Sequence, residues 1–399
     1  MVNIYSSALN QSIQIDRIIG AVKGNQPGPC LIFIGGIHGN EPAGVFALYQ
    51  VIKSLKSQRT KISGAVYALA GNLKALEQSK RFIREDLNRM WDEDKIKGLK
   101  NGAFDASHND QVEQKELFDL ISDIQKTENG PFYFFDLHTT SSRSIPFLTV
   151  NDTLLNRAFT RSYPVPKILG VEEFLEGPLL SYLNEKGFVS FGFESGQHDT
   201  LEAIENHVAF IYLSLFFTAS LKNNLISLDL FYSKLEAASA FKTSFFEIYH
   251  RHEIKIDDTF IMIPGYSNFQ AIRKGDVLAI SNKCDIKASR SSLMFMPLYQ
   301  DQGDDGFFFI RKIPYLFMWL SALFRKWHFD WILRFLPGVS WHKTDKDTLI
   351  VNKKIAFLMV RQLLHLMGYR NKRLDKYHLI IKSRETASKR NAYKNEIWY

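Results

Sequence analysis

Leu31-Ile-Phe-Ile-Gly-Gly-Ile-His-Gly-Asn-Glu41 changes character halfway. Four apolar residues run into two glycines, and then His38 and Glu41 appear with two residues between them. Pro42 through Ser54 has helical spacing. The pattern predicts a buried parallel strand, a tight turn and a helix start. Such a turn lies at the carboxyl end of a strand, the edge where open α/β sheets gather ligands. An imidazole and a carboxylate leaving that turn can share one metal ion. Catalytic zinc often takes two His and one Glu and keeps a fourth position for water. A second His on another strand end is then required, and Phe132-Tyr-Phe-Phe-Asp-Leu-His138 supplies it.

Working outward, residues 1–24 read as a polar lead-in with a short strand near Gln14 to Ala21. The strand at 31–35 is followed by a helix over about 42–57 and a strand over 62–70. Residues 92–110 are charged and turn-rich and read as a surface loop. Residues 112–126 read as an amphipathic helix, and 132–137 and 145–150 as strands. Helices are expected at 152–162 and 178–187, a strand at 188–193, and helices at about 200–222 and 228–240. Strand and helix in alternation argue for an α/β fold, a mostly parallel sheet covered on both faces. From residue 245 to 312 short apolar runs are broken by Gly-Tyr, Lys-Gly-Asp and Asn-Lys, which predicts a small β-rich domain. Three units follow: 1–244, 245–312, and a basic helical extension over 313–399.

Composition narrows the setting. The chain has 399 residues and 45% hydrophobic content, enough for a large core in two or three domains. Cys30 and Cys284 are its two cysteines, too far apart for a disulfide framework or a CxxC metal site. Met1-Val-Asn-Ile-Tyr-Ser-Ser lacks the basic and apolar regions of a signal peptide, so a cytoplasmic protein is expected. Net charge is +8 but uneven. Residues 313–399 hold 17 Lys and Arg against 6 Asp and Glu, a net +11, which leaves the first 312 residues at −3. The basic character belongs to the extension.

Four groups lie at or just past strand ends: His38 with Glu41, the segment Arg81 to Arg89, His138, and Glu194. Convergence at one sheet edge gives each a role. His38, Glu41 and His138 can hold one zinc ion per chain and leave a position for water, which the ion acidifies. Glu194 is placed to activate that metal-bound water and pass the proton to a leaving amine. Arg81 can stabilise the oxyanion. Asn88 and Arg89 can hold a substrate carboxylate, the guanidinium fork matching that shape. The sum is hydrolysis of an amide.

These residues also carry a resemblance. Gly36-Ile-His-Gly-Asn-Glu41, Arg81-Phe-Ile-Arg-Glu-Asp-Leu-Asn-Arg89, Phe135-Asp-Leu-His-Thr-Thr140 and Gly192-Phe-Glu-Ser-Gly196 resemble the four motifs of the succinylglutamate desuccinylase/aspartoacylase family. The resemblance spans roughly residues 25–310. It implies a zinc-dependent amidohydrolase with a carboxypeptidase-like domain and a β-rich domain that shapes the pocket. The implied metal ligands are His38, Glu41 and His138. Glu194 is the implied base, Arg81 the polarising group, and Asn88 with Arg89 the clamp. Two positions depart from the pattern. The aspartoacylase branch has an Arg ten residues before its catalytic Glu, and Asn184 stands there, with Lys186 nearby. That branch also lends a Tyr from its C-terminal domain, for which Tyr299 is the candidate here.

The reading is therefore a deacylase acting on a small N-acyl amino acid or similar carboxylate. Two alternatives stay open: a zinc carboxypeptidase acting on short peptides, and a non-catalytic, metal-stabilised scaffold whose extension docks on a membrane or a partner. Asp136 shares a strand face with His138, and is either a group supporting the metal ligand or a plain buried carboxylate. Arg84 reads as solvated and His198 as a polar residue near a helix start. His108, His207, His250 and His252 read as structural or exposed. Residues 314–336 are rich in Trp and Phe, with an apolar run too short to span a bilayer. They read as a helix packed on the body or a second copy of the chain, or as a helix at a membrane surface. Residues 349–366 look like another amphipathic helix, and 382–399 like a polar, disordered end. The basic extension carries no nucleic-acid motif, and no nucleic-acid partner is expected.

Overall fold

A computed structural model describes every residue except 58–61, 222–226, 328, 330–332, 334, 336, 343–347, 353–366 and 374–377. The N-terminal stretch forms a hairpin of β1 (Val2–Ser6) and β2 (Gln11–Ile15), then β3 (Ile18–Lys23). The single strand expected near 14–21 is split at Asp16 and Arg17. β4 (Gln26–Gly35), β5 (Ser63–Ala70), β6 (Phe132–Thr140) and β9 (Val189–Gln197) make the parallel centre. Between β6 and β9 in sequence come β7 (Phe147–Val150) and β8 (Lys167–Leu169).

The apolar run Cys30 to Ile34 is fully buried, as a central strand covered on both faces must be. Its residues alternate between two cores. Leu31 and Phe33 join the core containing α1 (Ala43–Ser57) and α7 (Leu201–Phe217). Cys30, Ile32 and Ile34 join the core containing α3 (Glu93–Lys100), α4 (Asn109–Thr127) and α6 (Leu179–Glu185). Short helices α2 (Leu73–Glu77) and α5 (Leu154–Thr160) and the longer α8 (Leu228–Ala238) complete the layers. The mostly parallel, helix-flanked sheet read from the sequence is thus present. The stretch 92–110 differs from its reading: it holds α3, and Asp110 is fully buried.

From residue 245 the chain turns to strands, as expected. β10 (Phe245–Glu253), β11 (Phe260–Met262), β12 (Ala271–Ile272), β13 (Val277–Ser281), β14 (Cys284–Lys287), β15 (Ser292–Phe295) and β16 (Asp305–Lys312) follow in order. Four of them extend the central sheet, whose order is β12-β15-β16-β10-β8-β7-β9-β6-β4-β5-β3. The joint is β8, which pairs in parallel with both β7 and β10. Units of 1–244, 245–312 and 313–399 are a proposal about chain segments, since one continuous sheet crosses residue 245.

Beyond residue 312, α9 (Tyr315–Lys326) forms where a helix was expected. It buries Met318, Ser321 and Arg325 and leaves Tyr315, Leu316, Phe317 and Trp319 exposed. Two expectations are then overturned. β17 (Val339–Trp341), β18 (Thr348–Asn352), β19 (Tyr369–Arg373) and β20 (His378–Ser383) form an antiparallel sheet in the order β17-β18-β20-β19. Residues 349–352 are therefore strand, where helical spacing suggested helix, and 353–366 lie outside the described residues. The polar end is also seated. Tyr393 is fully buried, donates to the Phe132 carbonyl and accepts from the Val189 amide at 3.0 Å. Trp398 Nε1 donates to the Tyr133 hydroxyl at 3.0 Å. Aromatic area outweighed the polar composition in which it is set. Among the described residues, no helix is long and apolar enough to cross a membrane.

Candidate metal centre

The turn after β4 needs a left-handed residue at Gly36, φ +71°, and brings the next turn hard against α2. A Cβ on Gly39 would lie 2.0 Å from the Ala75 carbonyl carbon, so no larger residue fits. This close approach aims His38 and Glu41 at the end of β6. There β6 runs on to Thr140 and β9 to Gln197, past the ends expected at 137 and 193, so His138 and Glu194 lie inside the strands, directly paired in register.

His38, Glu41 and His138 meet as a buried group whose ligand atoms all lie within 4.8 Å of one another. Glu41 Oε1 is 2.8 Å from His38 Nδ1, and Oε2 is 3.2 Å from His138 Nδ1. The Thr139 amide donates to Oε2 at 2.8 Å, which fixes the carboxylate. Each imidazole turns its other nitrogen to an aspartate. His38 Nε2 is 3.1 Å from Asp86 Oδ1, and His138 Nε2 is 2.8 Å from Asp136 Oδ2. The second contact is off the line of a hydrogen bond, so it is a charge pairing. Carboxylates behind metal-binding imidazoles set their tautomer and raise their basicity. This donor set fits a divalent metal.

Charge follows the geometry. Burial would raise the Glu41 carboxyl, but the two imidazoles more than reverse it and hold it well below the usual range. Burial opposes a charge on His138, and Asp136 and Glu41 override it, raising the imidazole well above its ordinary value. Glu194 differs: burial dominates and pushes its carboxyl up to about 8. Its Oε2 is buried with no hydrogen-bond partner.

Arg81 lies on the same cluster. Its Nε and Nη2 donate to Asp86 Oδ2 at 3.2 and 3.0 Å, and Nη1 is 3.6 Å from Glu41 Oε1. Asp110 holds the segment that delivers it, accepting from the Ile83, Arg84 and Glu85 amides and from Asn72. Asn88 and Arg89 line the same cavity, of about 140 Å³, together with His38, Glu41, Arg81, His138 and Glu194. All seven residues named from the sequence therefore share one cavity.

Other contributors carried no signal in the sequence. The segment 297–304 lies about a hundred or more residues from the turn and strand ends that it touches. Gln300 accepts from Asn40 at 2.9 Å and lies 3.2 Å from His198 Nε2, whose Nδ1 is 2.6 Å from the Thr139 hydroxyl. Gln302 accepts from the Arg81 amide at 3.0 Å and donates to the Phe82 carbonyl at 3.2 Å. Tyr299 is corrected: its hydroxyl donates to the Ile263 carbonyl and accepts from the Tyr266 amide, and it is not among the cavity's lining residues. Arg84 is exposed, as expected. His207 is structural, buried edge-on against Phe193, and burial pulls its imidazole down to about 3.

Residues 27–163 match the family model described as "Succinylglutamate desuccinylase/Aspartoacylase catalytic domain". The chain is 33% identical over 84 residues to the succinylglutamate desuccinylase of Pseudomonas paraeruginosa, covering 21% of this chain and 25% of that protein. For the Pseudomonas aeruginosa enzyme the figures are 31% over 109 residues, 27% and 30%. The chain thus aligns with between a quarter and a third of each of these two relatives' length. Among solved structures, a succinylglutamate desuccinylase/aspartoacylase from Rhodobacter sphaeroides superposes with a TM-score of 0.55 at 17% identity, covering 73% of this chain and 88% of the other. An ectoine utilization protein from Ruegeria pomeroyi gives 0.53 at 16%, covering 73% and 87%. The fold is shared with both.

Proposed function

We infer that this chain, whose residues 27–163 match the model of the succinylglutamate desuccinylase/aspartoacylase catalytic domain, is a zinc-dependent deacylase of that family. It hydrolyses the amide bond of a small N-acyl amino acid or similar carboxylate. One observation carries the reading. A buried His-Glu-His cluster and a buried carboxyl, Glu194, with an unpartnered oxygen, line the same cavity.

His38, Glu41 and His138 would hold one zinc ion per chain, with Asp86 and Asp136 behind the imidazoles. Zinc in such a set supplies a Lewis acid that polarises a carbonyl oxygen and acidifies water. Glu194 takes the proton from the attacking water and delivers it to the leaving amine. A single carboxyl that alternates between base and acid serves both halves of that transfer. Arg81 places positive charge where the oxyanion develops. Asn88 and Arg89 bind the substrate carboxylate. A cavity of about 140 Å³ is well below the ~300 Å³ at which drug-sized sites begin, which favours an acyl-amino acid over a peptide. A metal-stabilised scaffold would have no use for Glu194 beside its ligands.

Glu194→Gln is the test. Zinc content by elemental analysis should stay near that of the wild type, and turnover should fall by about 10²–10⁴-fold. His138→Ala should lose the zinc. A fully active Glu194→Gln enzyme, or a wild type that takes up no zinc, would sink the reading. We also propose that the exposed side of α9, with Tyr315, Leu316, Phe317 and Trp319 beside the exposed Lys326, contacts a membrane surface. Co-sedimentation with anionic vesicles should drop when Leu316 and Trp319 become Ser. Retention of binding, or a dimer that this double variant dissociates, would reject membrane contact.

A further inference from the structure

The guanidinium assigned to the substrate carboxylate already has a carboxylate on it. Arg89 Nη2 donates to Asp305 Oδ2 at 3.1 Å, and Nη1 donates to the Asn88 carbonyl at 3.0 Å. Asn88 is committed too, its Oδ1 accepting from the Leu179 amide at 3.1 Å. Asp305 is not a passing surface acid. It opens β16, pairs in register with Glu253, and is gripped on its other oxygen by Arg251, which also donates to the Phe174 carbonyl at 3.1 Å. The preceding segment is pinned over the site by Gln300 and Gln302. The carboxylate is thus delivered to Arg89 by a fixed strand end.

The rest of the cavity offers no replacement cation. Among the described lining residues, Arg81 and Arg89 are the Lys and Arg present, against Glu41, Glu172, Glu194, Asp304 and Asp305. Arg81 is held by Asp86 and Glu41. Asn184 turns into the core, where its Nδ2 donates to the Ser190 carbonyl at 2.9 Å and its Oδ1 accepts from Asn156 at 2.7 Å. Lys186 lies over the Tyr182 ring and is not among the lining residues.

We propose that Asp305 is a specificity-determining residue, an internal carboxylate that shares Arg89 with one substrate carboxylate and selects against substrates carrying two. The proposal rests on the deacylase reading for its substrates. A monocarboxylate can use the remaining N–H donors of Arg89, because a guanidinium has five. A second carboxylate meets Asp305 where the described lining offers no Lys or Arg beyond Arg81 and Arg89, and like charges in a confined site repel. The preferred substrate class is then an N-acyl amino acid with an uncharged side chain.

Two isosteric pairs test this. The first is N-acetylglutamine against N-acetylglutamate, compared by kcat/KM. The second is succinamate against succinate, compared by calorimetric affinity, which needs no turnover. The wild type should prefer the singly charged member of each pair. Asp305→Asn should tighten succinate by about tenfold or more, the effect of freeing one charge-assisted hydrogen bond. It should narrow the kinetic ratio, with the change carried mainly by KM. Adding Arg89→Ala to Asp305→Asn should erase the gain. Unchanged succinate affinity in Asp305→Asn overturns the proposal. So does a wild type that binds succinate more tightly than succinamate, a result that requires no variant to fold. A wild type that shows the binding pattern but cleaves no acyl-amino acid supports Asp305 and removes the deacylase reading instead.

Discussion

Asp86 ties the proposed ligand His38 to the proposed oxyanion group Arg81, with one carboxylate oxygen for each. Burial would raise its carboxyl, but Arg81 and then His38 keep it ionised well below the usual range. Asp86→Asn should therefore weaken metal binding by about 10–100-fold, the usual cost of losing a carboxylate behind a ligand. Competition against a chelator reads this directly, and an unchanged affinity would reduce Asp86 to a loop residue. The sequence revealed His38, Glu41, His138 and Glu194 because each follows an apolar run that can only be a strand. It did not reveal the work of Asp86 or Asp110. Both hold backbone or side chains by hydrogen bonds between segments, and such bonds leave no periodic trace. Asp305 was hidden for the same reason, since its partner Arg89 lies 216 residues away.

Among the elements, β8 shows the limit of pattern reading. Lys167-Ile-Leu169 is too short to register as a strand, yet it joins the two parts of the sheet. Its Lys167 is fully buried, donates to the Tyr163 carbonyl at 2.6 Å and lies over the Phe245 ring. Burial first, and Arg161 second, lower its ammonium from 10.5 to about 7. The sign of the pH dependence follows. Between about pH 7 and 10.5 the unfolded chain binds a proton that the folded chain has released, so stability rises with pH across that window. Below about pH 7 both states are protonated and the burial cost is fully present. The gain is on the order of a few kcal/mol. Lys167→Met should flatten the climb in urea midpoint over that range. An equal slope in both proteins would show that the ammonium is solvated. The extension failed as a pattern for a related reason. Leu349-Ile-Val351 fits a helix face and a strand equally well, and pairing with β17 and β20 decided it.

At the scale of the molecule, the extension is wired to the pocket. Asp152 receives Arg157 and Arg325, the latter at 2.7 Å from α9, and Arg384 at 3.4 Å from beyond β20. Arg384 also reaches Glu173, and Glu172 at 3.1 Å, which lines the cavity. Arg384→Met removes a cation shared by three buried carboxylates. It should cost about 3–5 kcal/mol, as breaking a buried ionic group does, and should raise KM because the cavity wall loses its brace. Urea unfolding and steady-state kinetics together check this, and a midpoint like that of the wild type would mean the network is solvent-screened. The basic charge of the extension, legible as a net excess, gave no hint that part of it is internal. The distance in sequence between the site and its cover has a further consequence in time. Glu194 is the last of the seven residues to be synthesised, and Gln300 and Gln302 come about a hundred residues later. At roughly 5–20 residues per second, the nascent site spends about 5 to 20 s without the segment that bridges Asn40, Arg81 and His198. A metal ion can enter from solution in that interval, before Asp305 reaches Arg89 and the cavity acquires its final charge.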